Sequence, residues 1–390
     1  MNKKIGLVMT FQGTNFGQLL QSYALQQTIE SMGYETEIIQ YHSGKDKGIK
    51  LSLASIYVST QAVLNILLRK IKHKNTINAE TDLSHKENIS RRNDVSNLFR
   101  NTQFHNVVSV NGYSNLVKKS KDYFAVVVGS DQIWLPEVSV TNFYTLRFAM
   151  PGVTRVSYAT SMGVSSYPFY ARKPAAEYWK KIDFLSVREE QAKKIIKEIA
   201  GVEAKVVADP TYLLTTNEWE QRIPNTAVIE SGYVLCYFLG DSDAIKNYAR
   251  QFSNYKHLRL VSILSNECNS DDYRFADEVL IGKSPEEFIN LIRNAEYVLT
   301  DSFHGLAFSV INEKQFYIFY RNRPDVKQSR NSRIDNIVKI WGLEDRLIKK
   351  PEEMVFEDSL IDYQKVTKKR MEFRDESLDF LRIALEKKLE

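Results

Sequence analysis

The chain has 390 residues and a mass of 45.1 kDa, which corresponds to two or three domains of ordinary size. Apolar residues make up 43% and charged residues 26% of the chain, a composition typical of folded proteins and not of disordered ones. The net charge of +5 is too small for a dedicated nucleic-acid binder, although it suits an anionic ligand or a membrane surface. Two cysteines exclude a disulfide framework and an all-cysteine metal site, which favours a reducing compartment.

The N-terminus carries two lysines before an apolar run, a pattern that superficially resembles an export signal. The run ends at Phe11 and continues into Gln12 and Gly13 instead of a small-residue cleavage site, so a buried strand explains it better. The sequence also lacks an uncharged apolar stretch of about 18 residues, so we predict no membrane-spanning helix. We therefore expect a cytoplasmic protein.

The first half of the chain predicts a parallel sheet. An apolar strand at residues 5–10 is followed by helical apolar spacing at 18–32, which Gly33 ends as a left-handed cap. Alternating residues at 34–41 complete a strand, helix, strand unit. Further elements are predicted as strands at 123–128, 155–159, 184–187 and 205–208, and as a helix at 189–200 that ends at Gly201.

Three segments divide the chain. Residues 42–122 interrupt the pattern as an insert, with an apolar stretch at 49–68 and the basic run RKIKHK at 69–74. A turn-rich break at 222–232 precedes a second series of strands, at 233–239, 258–264, 278–281, 297–300 and 316–319. The charged tail from residue 358 has helical apolar spacing, so we expect it to pack one face on a domain.

These elements predict an α/β fold of two tandem domains. We place the N-terminal domain at residues 1–225, the C-terminal domain at 226–357 and a C-terminal helix at 358–390. In open parallel sheets, ligands bind beyond the carboxyl ends of the strands, where helix N-termini present free N–H groups. The functional residues are therefore expected at strand ends.

Two loops of the first half are candidates. After the first strand, Asn15 and Gly17 could bring the backbone close to a ligand, and the alternative is a tight turn that needs positive φ. Further on, VVVGSDQIW runs into Gly129, Ser130 and Asp131, whose polar groups suit sugar hydroxyls. The alternative is that Ser130 or Asp131 caps the next element.

Arg188 ends the strand DFLSVRE at the same predicted sheet edge. Its guanidinium can hold a carboxylate or phosphate with two parallel hydrogen bonds, and the alternative is an ion pair with Glu189 or Glu190. Asp209 and Pro210 end the next strand in a similar way. We interpret that pair as a turn of the chain.

The strongest pattern is YVLTDSFHGLAFSV, in which a strand at 297–300 leads into Asp301, Ser302 and His304 and then into a helix. Asp301 or Ser302 is expected to cap the helix, which places His304 in its first turn. The helix dipole there favours neutral imidazole, whereas a bound polyanion favours the protonated form. The alternative is a structural or solvent-exposed histidine.

The segment RNRPDVKQSRNSR follows the last of these strands. Its cations are Arg321, Arg323, Lys327, Arg330 and Arg333. The segment is either a solvated basic loop or, if it lines the same cleft as His304, a funnel for anions. The other histidines show no zinc-ligand spacing, and the sequence has no nucleophile elbow, kinase signature or dinucleotide fingerprint. The sequence indicates no metal site.

The order of these segments resembles the polysaccharide pyruvyl transferase family. The matching succession is a NFGQLLQSYAL-type first helix, then VGSDQIW, SVREE, DPTYLL, PEEFINLIRNAEYVLTDSFHGLAFSV, and SRI followed by GLEDRL. The resemblance extends from residue 6 to residue 347 and is poorest in the insert at 42–100. Several motifs in the same order make it more specific than any single motif.

The resemblance implies a GT-B-like pair of Rossmann-like domains that face a cleft. We expect the acceptor on the side of the N-terminal domain and the donor on the side of the C-terminal domain. The implied reaction transfers pyruvate from phosphoenolpyruvate to a sugar of a cell-surface polysaccharide or its lipid-linked precursor, as a ketal. It implies no cofactor, because phosphoenolpyruvate is the donor substrate.

The same resemblance implies roles for individual residues. His304 matches the family's acid/base, and Arg188 matches the arginine that binds phosphoenolpyruvate. Some relatives carry an arginine at the position of Ser302, so one anion contact is missing here, and Arg321 or Arg323 could replace it. The expected substrate-binding residues are Asn15, Gly17, Gly129, Ser130, Asp131, Asp301, Ser302, Arg321, Arg323 and Arg333.

Other functions use the same features. A nucleotide-sugar glycosyltransferase would have the same two-domain cleft, and a noncatalytic binder of nucleic acid or membrane would use the basic runs. Few aromatic residues lie in those runs, so we expect no nucleic-acid binding. Residues 49–74 are either an interfacial helix that docks on anionic lipid at the inner membrane face or an ordinary packed segment.

Overall fold

The computed structural model describes residues 4–43, 79–265, 274–321, 331–353, 356 and 359–386. In this part of the chain, helices flank two parallel β-sheets, so the predicted α/β fold with two Rossmann-like halves is confirmed. No helix in the described ranges is long and apolar enough to cross a membrane. The segment at 49–74, for which we weighed docking on lipid, lies outside the described residues.

The first sheet has seven parallel strands in the order β3-β2-β1-β4-β5-β6-β7. The strands are β1 (Lys4–Val8), β2 (Glu35–His42), β3 (Val107–Asn111), β4 (Ala125–Asp131), β5 (Thr154–Thr160), β6 (Phe184–Val187) and β7 (Lys205–Val206). The central strands β1 and β4 are almost entirely buried, as expected for a sheet covered on both faces. The strand order reverses between β1 and β4, which opens a crevice for a ligand at their carboxyl ends.

The two helices that the sequence predicts in the first half end at the predicted glycines, and four further helices accompany them. They are α1 (Phe16–Ser31), α2 (Ala79–Gln103), α3 (Tyr113–Lys119), α4 (Phe169–Trp179), α5 (Glu190–Ala200) and α6 (Thr216–Arg222). The side chain of Asn15 caps α1 by accepting a hydrogen bond from the Gln18 amide at 3.3 Å. Gly33, with a φ of +87°, follows α1, and Gly201, with a φ of +71°, ends α5.

The second sheet has six parallel strands in the order β10-β9-β8-β11-β12-β13. Its strands are β8 (Tyr233–Tyr237), β9 (Arg259–Ile263), β10 (Glu278–Leu280), β11 (Tyr297–Thr300), β12 (Gln315–Phe319) and β13 (Leu347–Ile348), and its helices are α7 (Asp243–Lys256), α8 (Pro285–Asn294), α9 (Phe303–Ile311) and α10 (Ser332–Trp341). The strand order reverses between β8 and β11. A second crevice therefore opens where β11 leads into Asp301 and Ser302.

Aromatic side chains pack the two halves against each other. Phe16 of α1 stacks on Phe288 of α8 with ring centroids 4.6 Å apart, and it lies 5.6 Å from the ring of Tyr237. Trp219 of α6 makes an edge contact with Phe308 of α9 at 5.1 Å. Burial of each such phenylalanine stabilises the fold by about 1.5–3 kcal/mol, so the halves form one packed interface.

The last helix, α11 (Tyr363–Glu386), packs on the fold as the tail pattern predicts, and it contacts both halves. At its start, the hydroxyl of Tyr363 donates to the Lys314 carbonyl of the second half. Towards its end, Ser377 accepts a hydrogen bond from the Ala208 amide at 2.9 Å, and the Leu385 carbonyl accepts one from Tyr34 at 3.0 Å. The chain thus returns to the half in which it began.

The insert at 42–122 contributes more regular structure than the sequence indicates. β3 pairs in parallel with β2 at the edge of the first sheet, and only Val110 of its five residues is fully buried. An edge strand with so little burial has no need of apolar alternation, which explains why its pattern is weak.

Helix α2 of the insert bridges both halves. Nη1 of Arg92 donates to the Leu264 carbonyl at 2.8 Å, while its Nε donates to the Thr14 carbonyl at 3.3 Å. One turn earlier, Nδ2 of Asn88 donates to the Ser265 carbonyl at 3.2 Å. These contacts connect the loop after β1 with the carboxyl end of β9.

Candidate active site

His304 lies in the first turn of α9, directly after β11, where the strand order of the second sheet reverses. Ser302 is the N-cap residue, and its hydroxyl accepts a hydrogen bond from the Gly305 amide at 3.3 Å. His304 is only 6% exposed, because the first half covers its ring. The alternative of a solvent-exposed histidine is therefore wrong.

The imidazole of His304 rests against the backbone of Gly17 in the first turn of α1. A Cβ atom on residue 17 would lie 1.9 Å from Nδ1 of His304, so a larger residue would displace the ring. Gly17 is helical and its φ is not positive, which contradicts the alternative explanation by a tight turn. The glycine is required by the close approach of the two halves.

Asp209 connects three groups of the site, although the sequence indicates only a turn there. Its Oδ2 atom accepts hydrogen bonds from Nη1 of Arg188 at 2.5 Å and from Oγ of Ser130 at 3.2 Å. The same oxygen lies 3.7 Å from Nε2 of His304, an ion-pair distance that is too long for a hydrogen bond. Asp209 also caps the short 3-10 turn after β7, because its Oδ1 accepts from the amide of Thr211 at 3.0 Å.

Burial acts to raise the pKa of Asp209, but His304 and Arg188 outweigh it and hold that pKa well below the usual value. The carboxylate is therefore ionised across the physiological range.

Arg188 is buried among carboxylates and one aromatic ring. Its Nη2 atom lies 3.4 Å from Oδ1 of Asp131, and its guanidinium carbon lies 4.4 Å above the ring of Phe303. Nε of Arg188 has no hydrogen-bond partner within the described ranges. Glu189 instead accepts from Ser161, so the alternative ion pair between Arg188 and its neighbour does not form.

Asp131 ends β4 in a left-handed conformation with a φ of +68°. This conformation is uncommon for a residue with a side chain, and here it accompanies the turn of the carboxylate towards Arg188. Burial acts to raise the pKa of Asp131, but the charges of Arg188, His304 and Arg333 prevail and lower it. Asp131 thus belongs to the charged cluster.

Asp301 and Arg321 form a second pair on the other side of the cleft. The Asp301 carboxylate accepts the amides of Leu239 and Gly240, each at 2.7 Å, and thereby fixes the loop after β8. Nε of Arg321 lies 3.5 Å from Oδ2 of Asp301. Burial raises the pKa of Asp301 above its usual value, against the opposing effects of Arg321 and the two amides.

Arg333, the second residue of α10, belongs to the basic segment and faces this cluster. Burial, together with the like charge of Arg188, lowers the pKa of Arg333 to about 9, against the opposing charges of Asp131 and Glu189. Nε of Arg333 is buried and has no hydrogen-bond partner in the part of the chain that the structure describes. Arg323 lies outside that part, as do Lys327 and Arg330.

The remaining predicted site residues make contacts that stabilise the fold around the cleft. Asn15 caps α1, as described above. Gly129 lies inside β4, where a Cβ atom would come within 2.7 Å of the Leu25 side chain, so packing against α1 requires it. Ser130 donates to the Ala159 carbonyl at 3.1 Å in addition to Asp209.

Nowhere in the described ranges do three or more histidine, cysteine, aspartate or glutamate side chains converge as metal ligands. The site is instead a set of paired carboxylates and guanidinium groups around one imidazole.

The fold and this cleft define a two-domain α/β protein of GT-B-like arrangement, with a charged candidate active site between Rossmann-like halves. The chain belongs to the polysaccharide pyruvyl transferase family, whose family model matches residues 15–323. The matched range includes Gly17, Arg188, Asp209 and His304, and the resemblance predicted from the motifs is confirmed. The family is one of transferases. No curated protein matches the chain significantly in sequence.

Solved structures with a similar fold are distant. The UDP-GlcNAc 2-epimerase from Methanocaldococcus jannaschii is 12% identical over 94% of this chain and 91% of its own, with a TM-score of 0.48. The UDP-GlcNAc 2-epimerase from Neisseria meningitidis is 12% identical over 96% and 99%, with a TM-score of 0.45. The glycosyltransferase SnogD from Streptomyces nogalater is 8% identical over 97% and 95%, with a TM-score of 0.42. Such low values carry no functional argument.

Proposed function

We propose that the protein transfers pyruvate from phosphoenolpyruvate to a sugar of a cell-surface polysaccharide or its lipid-linked precursor, forming a pyruvate ketal. The observation that carries the proposal is a group of buried cleft nitrogens without hydrogen-bond partners in the described chain. They are Nε of Arg188, Nε of Arg321, Nε of Arg333 and Nε2 of His304. Buried donors are rarely left unpaired, so such a cluster indicates a ligand site. Phosphoenolpyruvate offers a carboxylate and a phosphate, the groups that guanidinium binds best.

The contacts of each arginine favour different roles in donor binding. Nε of Arg333 is buried without a hydrogen-bond partner within the described residues, and no carboxylate in that part of the chain forms an ion pair with this arginine, so we assign it to an anion. Arg188 has both Nη atoms directed at Asp209 and Asp131, which leaves Nε for the ligand. Nε of Arg321 also has no hydrogen-bond partner within the described residues, but it lies at an ion-pair distance of 3.5 Å from Oδ2 of Asp301. We therefore favour Arg333 over Arg321 for the anion contact that is missing at Ser302.

The chemistry requires one group that both gives and takes a proton. A proton delivered to the methylene carbon of phosphoenolpyruvate creates an oxocarbenium-like centre at C2, which one sugar hydroxyl attacks. A second hydroxyl displaces the phosphate and closes the ketal. One of the two hydroxyl protons restores the proton donor, and the other protonates the departing phosphate. His304 is the proposed relay, a role that typically contributes about 10²–10⁴-fold to the rate.

The proposed partners follow from this reaction. The donor is phosphoenolpyruvate, and the acceptor is a glycan or lipid-linked glycan that enters from the N-terminal domain. The reaction needs no redox cofactor, and we propose none. We propose a cytoplasmic enzyme that docks peripherally at the inner membrane face through residues 49–74, where a lipid-linked acceptor would be found.

The proposal is tested with purified protein and phosphoenolpyruvate labelled with ¹³C in the pyruvyl group. We expect phosphate release that depends on a glycan acceptor, and transfer of the label into the glycan as an acid-labile ketal. His304→Ala, which keeps the arginines, should show neither. Release of a nucleoside diphosphate from a sugar nucleotide, with no turnover of phosphoenolpyruvate, would establish a glycosyltransferase instead.

A further inference from the structure

Asp209 accepts four hydrogen bonds from described residues. Its side chain is completely buried, and its Oδ1 atom accepts from both the amide and the hydroxyl of Thr211, at 3.0 and 2.8 Å. These two bonds fix the carboxylate on the rigid turn after β7. The other oxygen, Oδ2, is thereby directed into the cleft between the two halves.

Oδ2 meets groups from both halves of the protein. Arg188 and Ser130 of the first half donate to it at 2.5 and 3.2 Å. Nε2 of His304, from the second half, lies 3.7 Å away and has no hydrogen bond within the described residues. A full negative charge therefore lies beside the nitrogen that we assign to proton transfer.

Charged side chains from several elements surround the imidazole. The described part of the cleft holds the carboxylates of Asp131, Glu189, Asp209 and Asp301 and the guanidinium groups of Arg188, Arg321 and Arg333. Of these carboxylates, Asp209 forms an ion pair with the imidazole, with Oδ2 at 3.7 Å from Nε2. The N-terminal turns of α1 and α9 oppose a proton on the ring, but they carry partial charges, whereas Asp209 carries a full one at short range.

We propose that Asp209 is a positioning residue that orients Arg188 and favours the protonated form of His304 before the donor is attacked. This inference rests on the proposed function, because it assumes that His304 delivers the proton. Asp209, at the start of the DPT segment, thus has a role beyond turning the chain. The role joins the two halves, since Asp209 and His304 come from different sheets.

The test is Asp209→Asn, which keeps the shape and removes the charge. We expect kcat to fall about 10- to 100-fold and the pH optimum to move lower, because the imidazole loses the negative charge that favours its protonated form. The ¹³C signal of the His304 ring in the free protein, assigned with His304→Gln, should move towards the neutral position at a fixed pH. That signal does not depend on turnover.

Two further variants keep the test decisive. Thr211→Val removes one hydroxyl bond to Oδ1 but leaves the charge, so the His304 signal should stay in place. Ser130→Ala removes a donor that competes for Oδ2, so the signal should move towards the protonated position, the opposite direction to Asp209→Asn. Ser130→Ala also replaces Asp209→Asn as the decisive variant if the latter does not fold.

The two proposals fail in different ways. If wild-type protein does not consume phosphoenolpyruvate but the His304 signal responds as expected, the pairing stands and the proposed function is wrong. An unchanged signal and an unchanged pH optimum in folded Asp209→Asn would overturn the pairing and leave the function intact.

Discussion

Single residues from two halves define the geometry of this site. His304 and Gly17 belong to different helices. The imidazole lies so close to the backbone of Gly17 that any side chain on residue 17 would collide with it. Arg188, in turn, is held by carboxylates from two different strand ends. Each residue is therefore sensitive to changes in a partner that is remote in sequence.

The Gly17 contact predicts a reversal of an ordinary helix substitution. Gly→Ala within a helix usually stabilises by about 1 kcal/mol. Here Gly17→Ala should lower the melting temperature and abolish turnover, because the new Cβ displaces His304. In a His304→Ala background, the same change should raise the melting temperature. A thermal-unfolding cycle of the four proteins measures this, and equal effects in both backgrounds would contradict the contact.

Arg188 and Arg333 should respond differently to truncation. Arg188→Ala leaves Asp131 and Asp209 without their cation, so we expect a loss of about 3–5 kcal/mol in the free energy of unfolding, besides weak binding of phosphoenolpyruvate. Arg333→Ala removes a guanidinium whose Nε has no hydrogen-bond partner within the described residues. It should raise the KM for phosphoenolpyruvate about 10- to 100-fold at nearly unchanged stability. Urea unfolding and steady-state kinetics separate the two, and a stability loss in Arg333→Ala would argue for a structural role.

Asp209 also predicts how stability changes with pH. Its pKa in the folded protein is held below the usual value of 3.8, mainly by His304 and Arg188 against the effect of burial. The ionised carboxylate therefore stabilises the fold fully above that value, and the contribution is lost as the pH falls below about 4. The difference in unfolding free energy between wild type and Asp209→Asn should shrink on acidification. A difference that stays constant from pH 7 to pH 3 would contradict the lowered pKa.

Helices and strands place these residues, and α2 has an unexpected part in doing so. Arg92 of α2 donates to the carbonyls of Thr14 and Leu264, and its guanidinium lies 3.8 Å from the centre of the Phe16 ring. Phe16 precedes Gly17, the residue against which His304 rests. Helix α2 therefore holds the first turn of α1 against the second half.

Truncation of Arg92 should loosen this arrangement without touching the cleft. Arg92→Ala removes two hydrogen bonds and one ring contact, so we expect a loss of about 2–4 kcal/mol in stability and faster amide exchange at the end of β9. Asp94→Ala is the control, because Asp94 is exposed on the same helix. Exchange rates that change equally in both variants would show that α2 does not bridge the halves.

Most strands and helices were predictable because apolar patterns and glycine caps are local signals. The strand at Phe184–Val187 and the helix ends at Gly33 and Gly201 match the sequence prediction. The edge strand β3 was missed because it buries a single residue fully. In the site, Ser302 and His304 were predictable from a capping pattern. The role of Asp209 was not, because it arises from contacts with residues 79 and 95 positions away.

The whole molecule is held together by contacts that are distant in sequence. Helix α11 begins on the second half and ends on the first, and aromatic side chains fill the interface between them. Such an arrangement couples the stability of the halves, since neither can expose its interface without uncovering apolar surface. The cleft geometry thus depends on the integrity of the entire fold.

This coupling predicts that the two halves unfold together. Leu381 of α11 is fully buried, so Leu381→Ala should cost about 2–5 kcal/mol. We expect one calorimetric transition in both wild type and variant, shifted downwards in the variant, because α11 packs on both halves. Ile383→Ala, two residues further and 57% exposed, should change the free energy of unfolding by less than about 0.5 kcal/mol. A split into two transitions in Leu381→Ala would show that each half is stable without the other.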